Sequence, residues 1–108
     1  MNPDVRIATT ESIFRNVNER IAESAERFDS EDAVFVCECH DQTCTHRVEA
    51  SLDDYERVRA EPTQFLLAPG HEDDRVEAVV TSTDEHAVVE KRHPLARRLV
   101  LELDPRAA

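Results

Sequence analysis

All three cysteines of the chain fall within eight residues, as Cys37-Glu38-Cys39 and then Cys44. This C-x-C-x4-C run constrains the fold more than any other feature. Residues i and i+2 of a strand share a face, so the Cys37 and Cys39 thiolates can reach one ion. The polar turn His40-Asp41-Gln42-Thr43 then has to bring Cys44 back to the same side. It contains no glycine, so Asp41 or Gln42 must supply its tightness. Zinc suits this set because it takes four soft or borderline ligands tetrahedrally, at about 2.3 Å for sulfur and about 2.0 Å for histidine nitrogen. The competing readings are weaker. Free cysteine does pack like a small hydrophobe, but three of them around a polar turn are not core filler. A disulfide is exceptional in a reducing compartment. Redox centres use C-x-x-C, and a four-thiolate iron–sulfur cluster lacks its fourth cysteine.

The fourth ligand has to come from His40, His46, His71, His86 or His93. His40 adjoins Cys39 and projects to the opposite face if the strand continues. His46 stands two residues after Cys44, on the same side, and is a genuine rival. His71 follows Ala68-Pro69-Gly70, a tight turn that can aim an imidazole. It would also staple a distant segment to the cysteines. His86 and His93 read as ordinary surface residues.

Around this site the patterning predicts an α+β fold: an N-terminal amphipathic helix, a small, mostly antiparallel sheet with a zinc knuckle, and one short second helix. Residues 1–9 read as a flexible lead-in, 10–93 as one zinc-stapled domain, and 94–108 as a C-terminal strand or tail. The first helix is expected over 10–28, capped by Thr10. Ile13, Phe14, Val17, Ile21, Ala25 and Phe28 form its core stripe, and Arg15, Glu19, Glu23, Glu26 and Arg27 its solvent face. Residues 33–39 alternate as a strand, with Phe35, Cys37 and Cys39 on one face, and 45–50 return as a second. Ser51-Leu52-Asp53-Asp54 has capping-box spacing and starts the short helix, on which Leu52, Tyr55 and Val58 share a face. Residues 65–68 form a strand, and 76–81 with 87–90 a hairpin. Leu95 to Leu103 fits strand alternation and helical spacing equally well.

Composition narrows the function. The formal net charge is −11, from 24 acids against 13 bases. Nucleic-acid affinity comes mostly from Lys and Arg neutralising phosphates, and the densest basic cluster here (Lys91, Arg92, Arg97, Arg98) is short. Neither nucleic acid nor membrane is therefore expected as a partner. Met1 to Val5 shows no apolar targeting segment, and a cytoplasmic location is expected. The single glycine excludes a Gly-rich phosphate loop. A nucleoside-type deaminase is excluded because no P-C-x-x-C follows the first cysteines. Three thiolates and one histidine leave zinc no open position, so the metal is expected to be structural and the protein not an enzyme.

Phe35-Val36-Cys37-Glu38-Cys39, Cys44, Tyr55, Val58, Arg59, Phe65, Ala68-Pro69-Gly70-His71-Glu72 and Val88-Val89-Glu90-Lys91 together bring a resemblance. Over about residues 14–91 the chain resembles a family of short, functionally uncharacterised actinobacterial proteins. The resemblance implies a zinc quartet of Cys37, Cys39, Cys44 and His71, which ranks His71 above His46. It implies no activity. The expected function is a small structural-zinc module that acts on a protein partner in interaction or regulation. The alternative is a zinc–thiolate redox or metal sensor.

Overall fold

The computed structural model describes residues 2–107. Their order is α1 (Pro3–Arg27), β1 (Asp32–Val36), β2 (Arg47–Ser51), α2 (Leu52–Arg59), β3 (Gln64–Leu67), β4 (Glu77–Ser82), β5 (Ala87–Lys91) and α3 (Pro94–Glu102). The fold is α+β. Its strands make two antiparallel sheets where one was expected: a β1–β2 pair, and a three-stranded sheet in the order β3-β5-β4. The two sheets meet at Glu38, whose N–H donates to the Leu66 carbonyl at 2.8 Å while its Oε1 accepts from the Leu66 N–H at 2.9 Å.

The expected lead-in is helix. Asn2 caps α1 by accepting from the Asp4 N–H at 2.8 Å, Pro3 stands at the first helical position, and Asp4 meets the positive end of the dipole. That start signal overrides Thr10, because nothing between Pro3 and Thr10 breaks a helix. The far end closes in a Schellman motif. Ser30 N–H reaches the Ala25 carbonyl and Asp29 N–H the Glu26 carbonyl, with Asp29 at φ 54°. The expected C-terminal strand or tail is also corrected, because Pro94–Glu102 is helical. His93 caps it through Nδ1, which accepts from the Leu95 N–H at 3.2 Å, and Pro94 takes the first position. Beyond it, Arg106 grips Glu56 through both terminal nitrogens at 2.8 and 2.9 Å. Met1 and Ala108 lie outside the described residues.

The largest correction concerns which side of α1 faces inward. Ile13 (58% exposed), Val17 (41%) and Phe28 (76%) are in solvent, while Glu11, Ser12, Arg15 and Asn18 are buried with Ile7, Ala8, Ala22 and Ala25. The small alanines let the helix approach closely, and the polar groups find partners there. Asn18 pairs with both the N–H and the carbonyl of Val36 at 2.8 Å and so caps the edge of β1. Arg15 donates to the carbonyls of Pro62 (2.9 Å) and Val100 (2.8 Å) and lies over the Phe65 ring. Lys91 is wholly buried and donates to Glu11 and Glu77. The rest of the core is apolar: Phe35 stacks on Tyr55 at 4.6 Å, with Val48, Leu66, Leu67, Val76, Val89 and Val100 around them.

Glu11 makes this core pH-sensitive. Burial raises its pKa well above the ordinary carboxylate value, against the pull of Lys91. The folded chain thus keeps a proton that the unfolded chain releases near pH ~4.3. The group's contribution to stability is complete below that pH and is lost as pH climbs through the folded pKa. Glu11→Gln cannot titrate. In urea unfolding, its stability is expected to rise relative to wild type as the pH is taken from 5 to 8. A constant difference across that range would refute the assignment.

Local rules hold elsewhere. Ser51 caps α2 by accepting from the Asp54 N–H at 3.0 Å, and Tyr55 and Val58 face the core. Phe35 is buried and Val34 exposed as the alternation predicts, but β1 ends at Val36, short of the expected 39, and Cys37, Glu38 and Cys39 beyond it are all buried.

Candidate metal centre

Three segments converge on the site. Cys37 and Cys39 leave the end of β1. Cys37 N–H still donates to the His46 carbonyl at 3.2 Å, which holds the start of the knuckle against the segment entering β2. Asp41 then makes the turn. Its Oδ1 accepts from the Thr43 N–H at 2.9 Å and from the Thr43 hydroxyl at 2.7 Å, and its carbonyl accepts from Cys44 N–H at 3.0 Å. An Asx turn therefore supplies the tightness that glycine would otherwise give. The third segment enters from β3. Its Pro69-Gly70 turn is closed by His71 N–H donating to the Ala68 carbonyl at 3.2 Å, with Gly70 at φ +84°, a region that disfavours residues with a Cβ.

The turn aims His71 at the thiols. The donor atoms of Cys37, Cys39, Cys44 and His71 all lie within 4.8 Å of one another, a grouping that could hold a metal ion. His71 Nδ1 is 3.6 Å from Cys37 Sγ and 3.7 Å from Cys44 Sγ. Cys37 and Cys39 are buried, and Cys44 and His71 are half-buried. The other histidines do not join the group. His46 is exposed and meets the His71 ring edge-on at 4.5 Å between centroids. His40 is exposed, and His86 immediately precedes β5. His93 caps α3 and faces Asp4 at 3.2 Å.

The three thiols share their protons unequally. Cys39 is pushed down to about 5, chiefly by the hydrogen bond it receives from Cys37. Cys37, which gives that hydrogen bond and is buried, is pushed up beyond the ordinary thiol range, and burial also raises Cys44. Ala68 N–H donates to Cys37 Sγ at 3.2 Å, a contact that favours negative charge on that sulfur. Metal ligation needs thiolates, so an ion would displace these protons.

Two supporting residues escaped the sequence reading. Glu38, between the two cysteines, is wholly buried. Its Oε2 accepts from Asn18 Nδ2 at 2.7 Å, and burial pushes its pKa up to about 7 against the hydrogen bonds from Asn18 and Leu66. Asn18 lies one turn from Arg15 on α1 and clamps Val36 and Glu38 together. The knuckle is thereby tied to the long helix. A mid-helix asparagine and an acid between two cysteines carry no periodic signal, so only their burial reveals them. No family model, curated protein or solved structure matches the chain.

Proposed function

We propose that Cys37, Cys39, Cys44 and His71 bind one zinc ion whose role is structural, in a small module that works through a protein partner. The observation that carries this reading is the distance from His71 Nδ1 to two of the thiols. A tetrahedral ion at about 2.3 Å from sulfur and about 2.0 Å from nitrogen sets a sulfur–nitrogen edge of about 3.5 Å. The 3.6 and 3.7 Å edges at His71 Nδ1 are close to that value. The donor chemistry also fits: three thiols and an imidazole are borderline-soft ligands that favour zinc over calcium or magnesium, which take oxygen. With four protein ligands the ion would have no place for water or substrate. What it would supply is a cross-link between the end of β1, the entry to β2 and the turn after β3.

Metal content per chain, measured by mass spectrometry on untagged protein, tests this. Wild type is expected to hold about one zinc. His71→Ala is expected to weaken retention on the order of 100-fold or more in competition with a chromophoric chelator, and His46→Ala by less than about threefold. Equal losses in the two variants, or a metal-free wild type after refolding with zinc, would refute the quartet. The sensor alternative has one observation on its side: Cys44 is half-buried where Cys37 and Cys39 are buried. Reversible zinc release in dilute peroxide, in the same assay, would favour it.

A further inference from the structure

The sequence gives α1 a regular apolar stripe, and the fold turns part of that stripe outward. Ile13, Val17 and Phe28 fall within about 60° of arc at 3.6 residues per turn. They are the exposed apolar residues of α1 and its C-cap. Arg6, Ile13, Arg20 and Arg27 follow at seven-residue steps, each turning about 20°, so Arg6 lies within the apolar arc and Arg20 and Arg27 along its border. All three arginines are exposed, and none is in an ion pair among the described residues. In a chain of net charge −11, these three guanidiniums, in no such ion pair, set a row of positive charge against the apolar stripe, with Glu23 one turn from Arg20 and Arg27 on its outer side.

We infer that this face of α1 is the docking surface for an acidic amphipathic helix of another protein. The inference rests on the reading of the chain as an interaction module and names its surface. The face runs from Arg6 to Phe28, about 33 Å at 1.5 Å per residue, which matches a partner helix of about 22 residues. Apolar side chains at three- and four-residue spacing on that helix would cover Ile13, Val17 and Phe28. Glu or Asp along one border would meet the arginine row, as charges flanking a helix seam set partner choice.

A second copy of this chain does not fit. An antiparallel two-fold mate lays the arginine row on its own image, with Arg6 near Arg27, and like charges meet. A parallel mate sets the row against the flank of Phe14 and Ile21, which carries no carboxylate. Both copies also carry the same net charge of −11.

The test is calorimetric titration of the zinc-loaded protein with two synthetic helices of about 22 residues that share one leucine face, one bordered by Glu and the other by Lys. The Glu helix is expected to bind with a Kd below about 100 µM, and the Lys helix at least ~10-fold more weakly. Arg20→Glu with Arg27→Glu should reverse that preference. Both positions are exposed, and unchanged circular dichroism checks that the fold is intact. No heat with either helix, equal binding of both, or no reversal in the variant would overturn the proposal. So would sedimentation showing a dimer that Val17→Asp dissociates, because the face would then belong to a second copy. Zinc is assayed on the same samples. Loaded protein that ignores both helices refutes this surface alone, whereas binding by protein that holds no zinc refutes the metal reading alone.

Discussion

Removal of metal by a strong chelator is expected to abolish the cooperative thermal transition, or to lower its midpoint by more than about 20 °C. The size follows from two magnitudes. Structural zinc in small domains contributes about 10–16 kcal/mol of apparent binding free energy near neutral pH, and the whole net stability of a domain is about 5–15 kcal/mol. The geometry concentrates that energy at one place. Cys37 and Cys39 end β1, Cys44 leads toward β2, and His71 follows the turn after β3. Without the ion, the three thiols and His71 keep, among the described residues, hydrogen bonds among themselves and with Ala68, Asp41 and His46. Cys37→Ser should reproduce the chelator's effect, since a serine hydroxyl is a poor zinc ligand in a thiolate set. The measurement is circular dichroism during a thermal scan, paired with metal analysis of the same sample. A transition unchanged in protein shown to be metal-free would end the structural role for the ion.

The second large effect is expected far from the cysteines. Lys91→Met should cost about 3–5 kcal/mol, because it strips the buried carboxyl groups of Glu77 and of Glu11, which keeps its proton, of the lysine's charge and hydrogen bonds. Lys91, Glu11 and Glu77 have no exposed side-chain surface, and the lysine donates to both carboxylates while lying 5.3 Å from the centre of the Phe65 ring. Glu11 Oε2 has no hydrogen-bond partner among the described residues, and Glu77 is further committed to the Asp73 N–H at 3.0 Å. Met fills the lysine's volume, so the loss should come from charge and not from a cavity. The triple variant Glu11→Leu, Glu77→Gln, Lys91→Met should then recover most of the loss, since a buried ion group replaced as a whole is often neutral. Urea unfolding of the two variants decides it. A Lys91→Met protein within about 1 kcal/mol of wild type would show that the triad does not hold charge in the core.

How much of this was legible in the chain depends on the range of the rule involved. Ser51 capping α2, the alternation that buries Phe35 and exposes Val34, and the hairpin of β4 and β5 all come from neighbours a few residues apart. Period, cap and turn chemistry act at that range, so one sequence suffices to read them. The C-x-C-x4-C run is legible for the same reason. His71 is a different case. The sequence placed it after a Pro-Gly turn, but whether it or His46 meets the thiols depends on where β3 sits relative to β1. The bonds between Glu38 and Leu66, and from Ala68 N–H to Cys37 Sγ, decide that position.

The helices divide in the same way. The sequence by itself determined that a helix runs from Ile13 to its C-cap at Phe28 and that it carries one apolar stripe. Tertiary structure decided that Ile13, Val17 and Phe28 of this stripe face solvent while Ala25 and Ile21 stay against the core. A helix buries whichever side its neighbours can satisfy, and β1, β5 and α3 present a strand edge, a lysine and a free carbonyl to Asn18, Glu11 and Arg15. Hydrophobic periodicity cannot foresee those partners, because they arrive from 18 to 85 residues away in the chain. A buried polar group is stable only once its partner is in place, and that is settled by packing and not by spacing.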